Sequence, residues 1–158
     1  MKLLLLSVGK PGPLLADAIT EFERRAVRYW PLELAEIREE KAGKGTAAAA
    51  IRSAESARLL ERVPPGFEII ALTRGGRRWS SRDLANYLAD LAVHSAAGAA
   101  FLVGGACGLA PDVISAAQRT LSLGDVTMPH DVARLVMTEQ LYRAGTIVRG
   151  EPYHKGDL

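Results

Sequence analysis

Three residues near the end of the chain, Tyr153, His154 and Lys155, combine a phenol, an imidazole and an ammonium group. An imidazole exchanges protons near neutral pH, a tyrosine ring stacks on a nucleobase, and a lysine pairs with phosphate. The preceding Gly-Glu-Pro at residues 150–152 positions this segment rather than loosening it. Because the last residues of a chain commonly fray, a functional tail and a disordered one remain alternatives.

A glycine-rich sequence, FLVGGACGL at residues 101–109, ends an apolar run. Glycine adopts positive φ and lets the backbone lie close to a ligand. The pattern is neither GxGxxG nor a Walker loop, so it indicates either a site for a nucleotide-sized ligand or only a tight strand-to-helix turn. Cys107 has no histidine nearby in the sequence, and we interpret it as a packing residue.

A second polar segment, LSLGDVTMPH at residues 121–130, lies in apolar surroundings. Its amides suit the edge of a purine ring, and Val126 and Met128 suit the face, although a plain connecting loop is the alternative. We interpret His130 as a capping or packing residue. In the last helix, Tyr142 is expected in the core, whereas Arg143 faces either solvent or substrate.

The length and amino-acid composition of the chain limit the class of protein to which it can belong. The chain has 158 residues, 48% of them apolar, which predicts one domain spanning residues 1–158 with a substantial core. No apolar run approaches the roughly 18 residues that a membrane span needs, so no membrane partner is expected. One cysteine excludes an internal disulfide, and the three separated histidines predict no metal site. The cytoplasm is the simplest compartment.

Because the net charge is only +2, any binding of anions depends on local basic clusters. One is the arginine group of residues 24–28, and another is the Lys41 and Lys44 pair beside Gly43 and Gly45. The segment from Arg74 to Trp79, with its glycines and arginines, is the best candidate of the three for gripping phosphate and stacking on bases. A solvated surface is the alternative for each.

Hydrophobic periodicity predicts strands at residues 3–8, 32–37, 67–72, 99–103 and 121–123. Predicted helices alternate with them: one stopped by Trp30-Pro31, one capped by Thr46 and ending near Arg62, one capped by Ser80 or Ser81, one over 111–118, and one over 131–144 ended by Gly145. This alternation indicates an α/β fold with a mostly parallel sheet and helices on both faces. Ligands of such sheets bind beyond the carboxyl ends of the strands, where Leu72, Gly104 and Leu123 are expected.

The apolar band of the last helix is wider than one stripe, which indicates burial on several sides or a shared subunit interface.

Taken together, the order and spacing of four segments resemble the RlmH family, bacterial large-subunit ribosomal RNA methyltransferases of the SPOUT superfamily. The segments are FLVGGACGL, SLGDVTMPH, EQLYRA at residues 139–144 and GEPYHK at residues 150–155. Residues 2–10, 43–45 and 72–81 also match, so the resemblance covers nearly the whole chain. It differs at Thr73, where many members have aspartate, and in the extra residues 156–158.

The resemblance implies a C-terminal deep trefoil knot, a homodimer, and S-adenosylmethionine-dependent methylation of N3 of a pseudouridine in helix 69 of 23S rRNA within the ribosome, with no DNA partner. It assigns cofactor contacts to Leu72, Gly104, Leu123, Gly124, Asp125, Val126, Thr127 and Met128. Substrate-side and catalytic residues would be Arg143, Tyr153 and His154, with the tail acting on the partner's site.

In this hypothesis His154 assists loss of the N3 proton, Tyr153 stacks on the base, and Arg143 holds a phosphate or the developing charge. Two other functions stay open: a SPOUT methyltransferase acting on tRNA, and a non-catalytic ribosome-associated binding module.

Overall fold

Five parallel strands form one sheet in the computed structural model, which describes residues 1–94 and 96–155. The strand order is β2-β1-β4-β3-β5, and every paired strand is parallel to its neighbour. Central strands of such a sheet are covered on both faces and read as continuous apolar runs, as the fully buried β4 does. The expected parallel sheet is confirmed. The strands are β1 (Lys2–Val8), β2 (Leu32–Ile37), β3 (Phe67–Arg78), β4 (Gly98–Val103) and β5 (Arg119–Ser122).

Helices cover both faces of the sheet, as predicted. Alternate residues of β1 point to opposite faces: Leu3 and Leu5 join one core cluster, and Leu4 and Leu6 join the other. Helices α3 and α5 contribute to the first cluster, α2 and α4 to the second, and α1 packs along α5. The helices are α1 (Pro13–Ala26), α2 (Ala48–Glu61), α3 (Ser81–Val93), α4 (Pro111–Ala116) and α5 (His130–Val148).

Helix α5 lies between α1 and α3 on the sheet, which accounts for its wide apolar band. Met137 and Leu141 are fully buried, and the Trp30 indole donates to the Leu141 carbonyl at 2.8 Å. The prediction that Gly145 ends this helix is wrong. A Cβ at Gly145 would lie 2.4 Å from Cγ of Tyr29, so this glycine serves close packing and the helix continues to Val148.

Helix caps were predicted with mixed success. Ser80 caps α3 in a reciprocal capping box with Asp83, as expected. Thr46 does not cap α2, because its hydroxyl accepts the Gly43 N–H at 3.0 Å and the helix begins two residues later without a side-chain cap. Helix α4 ends at Ala116 rather than at residue 118, since the Gln118 side chain bonds the backbone N–H of Ile69 at 2.7 Å.

Strand β3 is longer than predicted and contains a bulge. Leu121 of β5 is the partner of both Leu72 and Arg77, so residues 73–76 bulge out of the ladder. Gly76 allows this, because a Cβ there would lie 2.9 Å from the Leu121 backbone. Strand β5 ends at Ser122, which places Leu123 just beyond it. No helix in the described ranges combines the length and apolarity needed to span a bilayer.

Candidate functional site

A cavity of about 680 Å³ opens at the β3 bulge and the carboxyl ends of β4 and β5. Cavities of 300–1,000 Å³ suit small organic ligands and cofactors. Three chain segments and the start of α5 enclose this one, as expected for a ligand crevice at the edge of a parallel sheet. Its lining consists of residues 72–74, 103–109, 121, 123–124, 126–130 and 133.

The segment after β4 is a tight glycine turn. The Gly108 N–H donates to the Gly105 carbonyl at 2.9 Å, and Gly108 has a φ of +76°. A Cβ at Gly104 would lie 2.6 Å from the carbonyl carbon of Gly108, and one at Gly105 would lie 2.7 Å from Oε2 of the buried Glu55. These positions exclude side chains, and the cavity wall here is mainly backbone.

The segment after β5 is fastened to the β3 bulge. The Ser122 hydroxyl accepts the Gly124 N–H at 3.2 Å and lies 3.0 Å from the Arg74 carbonyl oxygen, to which it donates. The Arg74 guanidinium donates to the Thr127 hydroxyl at 2.9 Å. Further out, Arg78 forms an ion pair with Asp125. Arg74 and Arg78 therefore hold this wall of the cavity, which weakens the interpretation of their segment as a free phosphate grip.

Most residues that the resemblance assigns to the cofactor lie together in this lining. Leu72, Gly104, Leu123, Gly124, Val126, Thr127 and Met128 all line the cavity. Asp125 does not, and its side chain is 75% exposed on the outer side of the segment. The lining thus offers apolar side chains and backbone groups, which suit a purine face and its edges.

The cavity residues Thr73, Cys107 and His130 had no functional role in our interpretation of the sequence. Nε2 of His130 lies 3.4 Å from the Lys10 carbonyl oxygen, so the start of α5 is joined to the loop after β1. Only the tertiary structure reveals this, because the two residues are 120 positions apart. No grouping of three metal-binding side chains occurs among residues 1–94 and 96–155.

The residues expected to act on substrate form a second cluster, built around Glu139. Its Oε1 accepts from Nη2 of Arg143 at 2.7 Å and from the Tyr153 hydroxyl at 3.1 Å. Nη1 of Arg143 lies 3.4 Å from Nδ1 of His154, and its guanidinium carbon lies 4.7 Å from the centre of the Tyr153 ring. Arg143, Tyr153 and His154 are therefore in mutual contact, although their functions stay predictions.

Glu139 also tunes this cluster electrostatically. Its hydrogen bonds raise the pKa of Arg143, so that guanidinium remains charged. Burial, and then the hydrogen bond to Glu139, raise the pKa of Tyr153 and keep its phenol protonated. A protonated phenol and a fixed cation are suited to donating hydrogen bonds to an anionic group.

The tail is held against α5 rather than left free. The Tyr29 hydroxyl donates to the Glu151 carboxylate, and the Glu151 N–H donates to the Thr146 carbonyl at 2.9 Å. The Tyr153 ring packs on Tyr142, with ring centres 4.5 Å apart. The extra residues 156–158 lie outside the described residues.

The cavity and the tail cluster lie apart within one chain. Ala133 lines the cavity near the start of α5, and Arg143 follows ten positions later on the same helix. At 1.5 Å of rise per residue, this places Arg143 about 15 Å from Ala133. Arg143, Tyr153 and His154 accordingly do not line the cavity of their own chain.

Comparison with known proteins agrees with this architecture. Residues 1–154 match the family model described as "Predicted SPOUT methyltransferase". A protein of Gemmatimonas aurantiaca named ribosomal RNA large subunit methyltransferase H is 47% identical over 156 residues, which cover 98% of this chain and all of the relative. A protein of the same name from Syntrophotalea carbinolica is 43% identical, covering 98% of this chain and 99% of the relative.

Solved structures share the fold. A crystal structure described as a "probable methyltransferase" from Bordetella pertussis Tohama I superposes with a TM-score of 0.55, covering 91% of this chain and 96% of that one, at 16% identity. At that identity the likeness concerns the fold alone. The full-length family match and the high identity to the curated relatives decide the classification. This chain belongs to the SPOUT methyltransferase family, in the branch of the ribosomal RNA large subunit methyltransferase H proteins.

Proposed function

We propose that the protein transfers a methyl group from S-adenosylmethionine to 23S rRNA, at N3 of a pseudouridine in helix 69, on assembled ribosomes in the cytoplasm. Residues 1–158 would act as a single SPOUT domain, with the knotted C-terminal half that its family implies. The observation that carries the proposal is the backbone-lined cavity at the β3 bulge and the carboxyl ends of β4 and β5. Relatives of nearly the same length named as large-subunit rRNA methyltransferases support the choice of substrate.

The cavity suits the cofactor in size and chemistry. Its lining is mainly apolar side chains and glycine backbone, with Arg74 as its one arginine or lysine among the described residues. Leu72, Gly104 and the segment from Leu123 to Met128 would hold the cofactor. When bound, S-adenosylmethionine supplies a methyl group on a positively charged sulfur. The protein's task is then to align the acceptor at near-attack distance and to exclude water.

The acceptor nitrogen carries a proton that must leave, and His154 is the proposed base, acting directly or through a water molecule. An arginine only donates, so the Arg143 contact on the Nδ1 side of His154 favours the tautomer with its lone pair on Nδ1. His154 accepts the substrate proton at Nδ1 once Arg143 turns to a phosphate or to the developing imide charge. Tyr153 stacks on the base.

A homodimer reconciles this chemistry with the separation of about 15 Å between Ala133 and Arg143 along α5. The tail of one subunit would complete the cavity of its partner. A mixed dimer tests this arrangement by pairing a Gly104→Ala subunit with a His154→Ala subunit. At S-adenosylmethionine concentrations well below the Kd of the Gly104→Ala subunit, action across subunits leaves one intact site and up to half of the activity, whereas action within a subunit leaves little.

The function itself is tested by incubating the protein and methyl-labelled S-adenosylmethionine with three substrates: unmethylated ribosomes, free rRNA and bulk tRNA. Label should enter 23S rRNA of ribosomes at a pseudouridine N3, and free rRNA should react poorly because the small chain reads the shape of the ribosome. Label in tRNA would show that the protein is a tRNA methyltransferase. Ribosome binding without incorporation of label would show that it is a non-catalytic binding module.

A further inference from the structure

Two neighbouring loops at the carboxyl end of the sheet carry exposed cations that have no partners. Lys10 follows β1, and Arg38, Lys41 and Lys44 follow β2. Within residues 1–94 and 96–155, none of these four side chains forms an ion pair or a hydrogen bond. We call these four residues the β1–β2 basic edge. A cation left without a protein partner is available to an external anion.

Several other surface cations are engaged within the chain. Lys2 pairs with Glu33 at 2.6 Å, at the opposite end of β1. Arg24 and Arg25 both pair with Glu21 on α1. Arg74 and Arg78 hold the cavity wall, as described above. Two of the three arginines in the Arg74–Trp79 segment are therefore engaged within the chain, whereas all four cations of the basic edge are available to phosphate.

The basic edge borders the cavity. Ser7 of β1 is in register with Val103, a cavity residue, and the Lys10 carbonyl lies 3.4 Å from Nε2 of the cavity residue His130. Since neighbouring strands lie about 4.8 Å apart, the end of β2 is roughly 10 Å from the end of β4.

Local charge is positive on this edge. Two carboxylates belong to these loops: Glu40 is paired with Arg58, and Glu39 lies against Gly9. From the neighbouring helices, Glu55 accepts the Glu40 N–H at 3.0 Å and Asp131 accepts the Gly12 N–H at 3.2 Å. The four cations still outnumber Glu39, Glu55 and Asp131, which form no ion pair among the described residues. Residues 41–47 are all exposed and include Gly43 and Gly45, so the two lysines there face the solvent.

We propose that the β1–β2 basic edge binds the phosphate backbone of the RNA whose target base enters the adjacent cavity. The inference rests on the proposed function for the identity of that RNA. Lysines on flexible stems act as point charges toward phosphate and read no bases. The edge therefore supplies affinity and position, and leaves the choice of nucleotide to the cavity and the tail cluster.

The test compares the double variant Lys41→Ala/Lys44→Ala with a matched control, Lys2→Ala/Arg62→Ala. The control removes the same charge at the opposite end of the sheet, where both of its residues are exposed and lie near Glu33. Affinity for unmethylated ribosomes is measured between 0.05 and roughly 0.3 M NaCl. Calorimetry with S-adenosylmethionine and a melting curve verify that each variant keeps its cavity and its fold.

Each phosphate contact on single-stranded RNA adds about 0.7 to the slope of log affinity against log salt. Loss of two contacts should lower that slope by about 1.4 and weaken binding by roughly 25-fold at 0.1 M salt. The control should bind like the wild type, and all proteins should bind S-adenosylmethionine equally. An unchanged slope in the double variant, or an equal loss in the control, would overturn the proposal.

The two proposals fail separately. Methyl transfer to ribosomes by the wild type, together with an unchanged slope in the double variant, refutes the basic edge and leaves the function standing. A lowered slope without methyl transfer refutes the function and leaves the edge standing.

Discussion

Replacing Gly104 by alanine should damage the cavity directly. The added Cβ would lie 2.6 Å from the carbonyl carbon of Gly108, 2.8 Å from its oxygen and 3.0 Å from the backbone nitrogen of Leu109. All three are backbone atoms that cannot rotate away, so the glycine turn itself must move. Overpacking of this kind costs about 1–3 kcal/mol. If the whole cost falls on the cofactor-bound conformation of the turn, affinity for S-adenosylmethionine falls roughly 5- to 150-fold.

Gly75→Ala is the matched control, since it adds the same methyl group three positions after Leu72. A Cβ there meets no atom within 4 Å, and Gly75 is not among the glycines with positive φ. Isothermal titration calorimetry with S-adenosylmethionine should therefore separate the two variants, with Gly75→Ala matching the wild type. A melting curve reports whether each variant is folded. Wild-type affinity in a folded Gly104→Ala protein would refute the assignment of this turn to the cofactor.

Three further predictions concern the tail, a helix cap and a packing glycine. His154→Ala should lower kcat by about 10²- to 10⁴-fold with an unchanged Kd for S-adenosylmethionine. The control His94→Ala should leave both kcat and Kd unchanged, and parallel losses of kcat and affinity in His154→Ala would contradict the base role. Ser80→Ala removes the acceptor of the Asp83 N–H and should destabilise the protein by about 1 kcal/mol in urea denaturation, an unchanged midpoint being the contrary result. Gly145→Ala forces a Cβ to 2.4 Å from Tyr29 and should cost about 1–3 kcal/mol by the same method, so wild-type stability would disprove the packing role.

The parallel sheet was predictable because its strands are short apolar runs with helical patterns between them. β2 matched its predicted bounds, and β1 and β4 each begin one residue earlier than predicted and end where predicted. From that alternation alone, the carboxyl ends of the strands had to meet at one edge, which brought Leu72, Gly104 and Leu123 to the same cavity. Local patterns suffice for this step because parallel strands impose a common direction.

Other features depended on contacts between residues distant in the sequence. Gly145 has the local signature of a helix end, but the Tyr29 ring that explains it is more than 100 positions away. The β3 bulge likewise depends on Leu121 pairing with two residues of one strand. Threonine is a residue type that commonly caps helices, but the Thr46 hydroxyl accepts the Gly43 N–H instead. Residue types and their spacing in the sequence do not show which of several possible partners a group contacts in the folded chain.

The tail cluster shows the same limit at the site. Tyr153 and His154 were conspicuous by type, and the resemblance paired them with Arg143. The role of Glu139 as the common acceptor for Arg143 and Tyr153 appears only when α5 and the tail are seen together. The separation of about 15 Å between Ala133 and Arg143 is also a property of the folded helix, and it supports the placement of the tail in the partner's site that the resemblance implies.

A crystal structure of the protein with S-adenosylmethionine would show whether this cavity is the cofactor site. We expect the cofactor between the glycine turn at Gly104 and the segment from Leu123 to Met128, with the tail of the partner subunit beside its methyl group. Cofactor bound elsewhere on the chain, or a cavity that stays empty at saturating concentration, would contradict this expectation.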